Sequence, residues 1–559
     1  MKQQPACFFA VSLVLTCIVS FSPVRGDSGN QAPGSSVKTV RPEIQSTTKT
    51  AQIREWILPA AISHETGVGY VARLKIPHDA DRESKSACLL LEDGQPLPHP
   101  HALHKLIREE GKGHFSHWTP TTLYFSASDS SDPRTNGRKY ELVCPESFVE
   151  RSTRFVLNDA DSLISFPDIP GRHVQPLKLV WENRDPQQTI QLNWKRQGDP
   201  DLSSQQAMLS SILKPGMTDE EKSLAIWKFL KDWRYHFYPA EPGDEVHDPV
   251  KFLNVYGYGF CDDCATNFAV LARRAGVKSR TWGLSGHVVA EAFYDGKWHM
   301  FDPDHEVFYR NDKGVIASVE ELAQHPELIT KTPLDPIGSS SQAIARLYTT
   351  TADNQPSERK PAIKDSQLAP TLEPGDRLEF DFSAAGHVHQ KYLTEAGPPP
   401  VAGNGTLKRR ITKLARLNQP HPHQRDWHFT WPYVLLKGGL ELKLAPGQSA
   451  PMLSVSSNGA SWTPLETSLK EEKLTVSLDA WIKQQPTAVY GFYLRCENTN
   501  GDDPAGSIEQ LNSEFLFQFA PRALAHMQNA NNHFEMKISP PLPTEGKGLA
   551  VQMVWKEIE

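Results

Sequence analysis

Between Gly259 and Pro303 the apolar period changes from helical to alternating, with glycines marking the breaks, and this constrains one helix–strand–strand unit within a 559-residue chain. Phe268, Leu271 and Ala272, flanked by Ala265 and Ala275, recur at helical spacing, and Gly276 supplies the stop. The helix therefore opens at Gly259-Phe260-Cys261. Residues 288–293 and 298–301 read as strands around Asp295-Gly296, a strong two-residue hairpin signal. With that loop, Tyr294 faces Lys297, and counting outward sets Val289 opposite Asp302 and His287 opposite Asp304. His287 and Asp302 then share a sheet face as diagonal neighbours. Asp304 lies on the same face, so spacing alone leaves two carboxylates for one imidazole.

The order Cys261, His287, Asp302 has chemical meaning. A thiolate attacks amide carbonyls well when an imidazole takes its proton and a third group holds that imidazole in one tautomer. A cysteine at a helix start meets unsatisfied N–H groups and the positive end of the macrodipole, which favour the thiolate and offer donors to a developing oxyanion. Each residue alone has a plainer reading: a small buried thiol, a satisfied core histidine, a turn aspartate before Pro303. Their joint placement favours a catalytic constellation.

In Gly259, Cys261, Ala265, Leu271, Arg273, Gly276, Arg280, His287, Glu291, Trp298, Asp302 and Pro303 the sequence resembles the transglutaminase-like superfamily. The resemblance covers about the middle quarter of the chain. It implies a papain-related α+β core with Cys261 as nucleophile, His287 as base and Asp302, the carboxylate that precedes the proline, as the group orienting it. Val289 stands where many members carry Trp, which bears on substrate preference. Members either hydrolyse the acyl-enzyme or transfer it to an amine, so the resemblance implies a peptidase, amidase or acyl transferase acting on protein, peptide or glycopeptide. The alternative is a non-catalytic envelope or glycan-binding scaffold with a vestigial core.

Cys261-Asp262-Asp263-Cys264 is formally a CxxC, but redox centres of that spacing follow a strand and lack the later His and Asp, so Cys264 is expected to be structural. No second close ligand pair completes a zinc set, and no EF-hand loop is present. Neither a cofactor nor an obligatory metal is expected.

At the N-terminus, Lys2, an apolar run over residues 8–21 and small residues before Gly26 read as a signal peptide spanning 1–26, too short to cross a membrane. No later segment has spanning character, so an exported protein is expected. The formal charge of −7 gives no basic footprint, and nucleic acid is not expected as a partner. Without the leader the cysteines are Cys88, Cys144, Cys261, Cys264 and Cys496, an odd count that suits one free thiol and a Cys88–Cys144 disulfide.

The chain is too long for one core. Residues 27–50 are polar and read as a flexible tether, 51–200 as one or two β-rich domains of sandwich type, 203–332 as the core, 333–375 as a linker and 376–559 as one or two C-terminal β-sandwiches. Thr218-Asp219-Glu220-Glu221 and Ser318-Val319-Glu320-Glu321 announce helix starts. The loop over residues 128–138 beside His114 and Trp118 has the composition of a solvated hairpin or of a sugar or Ca²⁺ site, and the β-rich flanks are candidates for glycan contact.

Overall fold

The computed structural model describes residues 37–558 except 75–80, 82–85, 120, 171, 237–243, 332–338, 351–353, 358–365, 383–402, 414–416 and 544–546. The expected leader therefore lies outside the described residues, and residues 38–558 belong to one compact unit.

The helix–hairpin unit forms where the sequence places it. Helix α1, Asp219–Trp233, opens with a full capping box, Thr218 and Glu221 each accepting from the other's backbone. Helix α2 is Cys261–Arg274, and it ends where Gly276 adopts φ +84 and the Val277 N–H returns to the Ala272 carbonyl at 2.9 Å. Strands β1 (Lys278–Leu284), β2 (His287–Tyr294) and β3 (Lys297–Phe301) follow. Asp295 and Gly296 both take positive φ, as a type I′ turn requires, and Tyr294 pairs with Lys297. Gln355–Ser357, β4, adds to β1 and completes an antiparallel sheet of order β3-β2-β1-β4.

Period-2 alternation gives this sheet two apolar faces. Ala290, Ala292 and Phe301 join the cluster that holds Phe268 and Leu271 of α2, while Trp282, Val289 and Met300 pack with Leu322, Ile344 and Tyr348. Those last residues lie on short helices Val319–Gln324 and Ser341–Thr349. The second of these falls in the segment expected to be a linker, with Ser340 capping it, as does β4. Its buried Ile344, Ala345 and Tyr348 form an apolar helix face within a stretch otherwise rich in Pro, Ser and Thr.

The flanks are rich in strands, but they are not separated at the expected boundaries. One twelve-stranded sheet takes strands from both sides of the core, and Leu549–Ile558 lies between His173–Asn183 and Tyr140–Leu157. Arg377–Asp381 pairs with His173–Asn183 on its other side. The expected tether also departs from its reading, since Lys38–Val40 and Gln45–Ile57 are strands, the latter paired with Tyr140–Leu157 over its whole length. Its Thr residues are β-branched and suit a pleated surface better than their polarity suggests.

In the loop over 128–138 the carboxylates are taken by internal cations, Asp132 by Arg134 and Asp129 by Arg138, which also pairs with Glu92 outside the loop. That pattern is a self-satisfied loop. Among the described residues no helix is long and apolar enough to cross a membrane.

Cys88 and Cys144 are bonded. Leu89 pairs with Val143, so the register sets the two cysteines directly across from each other. Replacing both by Ala is expected to lower the unfolding free energy by about 2–4 kcal/mol, read from denaturant midpoints of the oxidised protein. An unchanged midpoint would mean that the bond does not constrain the unfolded chain.

Candidate active site

Cys261 is the first residue of α2, half-buried, with Phe260 as the non-helical residue before it. The Asp263 carboxylate turns back to accept the Phe260 N–H at 2.8 Å, and burial pushes its pKa up to about 7. Gly259 has a steric reason: a Cβ there would lie 2.7 Å from Asp263 Oδ2 and 2.7 Å from the Phe252 ring. The N–H groups of a helix's first turn have no acceptor within the helix, so the thiol sits at its positive end.

His287 begins β2, and its Nε2 lies 2.7 Å from Asp302 Oδ2, with both side chains almost wholly buried. Asp302 follows the last residue of β3, and its Oδ1 accepts the N–H groups of Asp304 at 3.0 Å and His305 at 2.9 Å. One oxygen is therefore fixed by the turn and the other is left for the imidazole. The Cys261 sulfur lies within 4.8 Å of a His287 ring nitrogen, so thiol, imidazole and carboxylate stand together. Burial opposes charge on His287, but Asp302 and then Cys261 outweigh it and raise its pKa from 6.5 to about 10. Asp302, despite full burial, is held below its ordinary value by His287 and His305.

The choice that spacing left open is made by the turn. Asp302 faces His287, whereas the Asp304 side chain lies 3.1 Å from Arg234 and 2.9 Å from His236 Nδ1. Sequence reasoning missed Arg234, His236 and His305. His305 packs its ring 4.1 Å from that of His287, and Trp227 of α1 donates Nε1–H to the Asp302 carbonyl at 3.1 Å. The contacts of Trp227, Arg234 and His236 with this turn join residues some 70 positions apart, and no local pattern announces them.

Cys264 is fully buried and donates to Asp304 Oδ1 at 3.9 Å, and burial drives its pKa well up. It is a neutral packed thiol, in keeping with a structural role. Arg280 and Glu291 also have structural work: they pair across β1 and β2 at 2.7 Å, Glu291 accepts the Val319 N–H at 2.9 Å, and the Arg280 guanidinium lies 4.0 Å from the Trp298 ring centre. Ligand atoms of Cys261, His287 and Asp304, and of His287, Asp302 and His305, come within 4.8 Å of one another. Hydrogen bonds and ion pairs account for both groups, and we assign no metal ligands.

Residues 206–303 match the family model described as the transglutaminase-like superfamily. No curated protein matches the chain significantly. A solved structure described as a candidate protease from Parabacteroides distasonis aligns over 85% of this chain and 98% of its own, at 10% identity and a TM-score of 0.13. That score carries no argument about shape or chemistry.

The His287–Asp302 pair generates a pH signature. A histidine raised from 6.5 to about 10 contributes stability fully present below 6.5 and lost as the pH rises through about 10. A depressed Asp302 contributes stability that is lost as acid protonates it. The native chain should therefore exceed Asp302→Asn in stability most near about pH 5–6, with the gap closing on both sides. Urea midpoints of the two proteins across the pH range measure this, and a gap that stays constant from neutrality to pH 10 would contradict it.

Proposed function

Because residues 206–303 form a transglutaminase-like core, we propose that the protein is a cysteine-dependent acyl-transfer enzyme of exported type, cleaving carboxamide or peptide bonds through Cys261, His287 and Asp302. The observation that carries this reading is the placing of His287 beside both groups, with Asp302 Oδ2 at 2.7 Å from Nε2 and the Cys261 sulfur within 4.8 Å of a ring nitrogen. An imidazolium beside a helix-start thiol favours the ion pair over the neutral pair.

The chemistry follows from that arrangement. The Cys261 thiolate forms a bond to the carbonyl carbon, and first-turn N–H groups receive the charge that develops on oxygen. The C–N bond then breaks as His287 gives its proton to the leaving amine, leaving a thioester on Cys261. An incoming water or amine loses its proton to His287, attacks the thioester and frees the thiolate. Water gives hydrolysis of a peptide or glycopeptide amide, and amine gives cross-linking. Asp302 keeps the imidazole oriented throughout and stabilises its charge.

Export is supported by the leader pattern of residues 1–26 and by the Cys88–Cys144 disulfide, a bond that persists in oxidising compartments. The three described free cysteines are Cys261, Cys264 and Cys496, and only Cys261 is not buried.

Iodoacetamide at about pH 5.5 is expected to label Cys261 alone, as read by peptide mapping. With p-nitrophenyl acetate as acyl donor, Cys261→Ala should abolish turnover, Asp302→Ala should reduce it by roughly three to four orders of magnitude, and Cys264→Ala should leave the acylated peptide unchanged. A vestigial core would show no selective labelling in acid and no turnover. Activity that survives Cys261→Ala but not Cys264→Ala would reverse the assignment of the nucleophile.

A further inference from the structure

We propose that Arg234 is a positioning residue for this site: it locks the turn that presents Asp302 and cancels the charge of Asp304 beside Cys261. The inference rests on the reading of Cys261 as nucleophile. Arg234 follows α1 directly, and its side chain is 2% exposed. Its guanidinium donates to the carbonyls of Pro303 at 2.5 Å and Asp304 at 2.6 Å and pairs with Asp304 Oδ1 at 3.1 Å. Three acceptors on consecutive residues of one turn are gripped by a single planar fork. Burying an arginine is costly, and a fork of this kind is retained where several acceptors converge.

Two consequences reach the reacting groups. First, the gripped turn is the one that fixes Asp302, because the N–H groups of Asp304 and His305 hold Asp302 Oδ1 and leave Oδ2 for His287. If the turn drifts by about an ångström, the 2.7 Å contact to His287 is lost, and misplacement of that size costs on the order of 100-fold in rate. Second, a ligand oxygen of Asp304 lies within 4.8 Å of the Cys261 sulfur and of a His287 nitrogen. A bare carboxylate there would disfavour the thiolate, and Arg234 removes that penalty.

Other charges near this pair are accounted for. On the turn, Asp302 and Glu306 act on Arg234 together with Asp304, while the Cys264 thiol of α2, which donates to Asp304, is neutral. Asp304 also meets His236 from the strand before the site and influences Asp263, and His305 faces Asp302 and His287. His247 is engaged with Asp262 and Asp263 at 3.5 and 3.6 Å. Arg234 is the one cation among these that touches both the Asp304 carboxylate and the backbone of the turn.

The test uses the full chain with iodoacetamide and p-nitrophenyl acetate as probes. Arg234→Met is expected to move the acidic limb of Cys261 labelling upward by about one pH unit and to lower kcat roughly 100-fold with KM unchanged. Adding Asp304→Asn to that variant should return the labelling profile toward native without restoring kcat. Arg234→Lys keeps the charge but not the fork, so it should label with the native pH profile and lose roughly 10-fold in kcat. If Arg234→Met does not fold, Arg234→Lys decides, and native kcat in that variant overturns the proposal. Native kcat and labelling in a folded Arg234→Met overturn it as well. Failure of the native protein to label at Cys261 in acid would instead defeat the nucleophile reading, so the two failures are distinct.

Discussion

A buried imidazolium–carboxylate pair, His287 with Asp302, is the constraint around which the core is arranged. Both side chains are nearly inaccessible to water, and two charges taken out of water are stable only where the remaining lone pairs and protons find partners. Here they do. Asp302 Oδ1 takes two backbone N–H groups, Oδ2 takes His287, its carbonyl takes Trp227, and the Cys261 sulfur stands within 4.8 Å of a His287 nitrogen. Each partner comes from a different part of the core: the turn after β3, the start of β2, helix α1 and the first residue of α2. Holding the pair therefore requires that the hairpin register, the capping of α2 and the packing of α1 all be correct together.

What the sequence made legible was local. The Asp295-Gly296 turn sets Tyr294 against Lys297, and every further pairing along the hairpin follows by counting, which is why His287 and Asp302 could be placed near each other. Gly276 carries a conformational demand that survives without context, whereas Gly259 answers to the Phe252 and Asp263 side chains packed against it. The choice between Asp302 and Asp304 was not local, because β3 ends at Phe301 and the chain turns before Asp304 can stay opposite His287. The direction of that turn is fixed by Arg234, some 70 residues upstream, and by bonds that no spacing rule contains.

The same difference in range explains the flanks. Alternating apolar runs announced strands, but pairing partners of strands are set by the whole fold. Leu549–Ile558 closes between two strands from the first third of the chain, so the flanks share hydrogen bonds that no boundary drawn in sequence could anticipate. The core is not insulated from them. Phe268 and Leu271 of α2 sit in one apolar cluster with Trp181, Phe380 and Phe515, and β4 reaches the core sheet from beyond residue 350. Gly257 meets the Ala520 side chain closely enough that an added Cβ would lie 2.8 Å from it, so a distant segment abuts the loop that leads to Cys261.

Cys261 and Cys264 show how one turn of helix separates two chemistries. Both stand near Asp304, and both belong to a first turn with acidic neighbours. Cys264 faces inward, among Phe268 and Leu271, and there desolvation dominates, so its thiol stays neutral and donates to Asp304. Cys261 is only half-buried and meets His287. The difference lies in burial: full desolvation at Cys264 outweighs the nearby Arg234 charge, whereas Cys261 keeps partial access to water and has His287 beside it. The acidic group thus stands next to the inner thiol and the imidazolium next to the outer one, and Arg234 pairs with that acidic group at 3.1 Å.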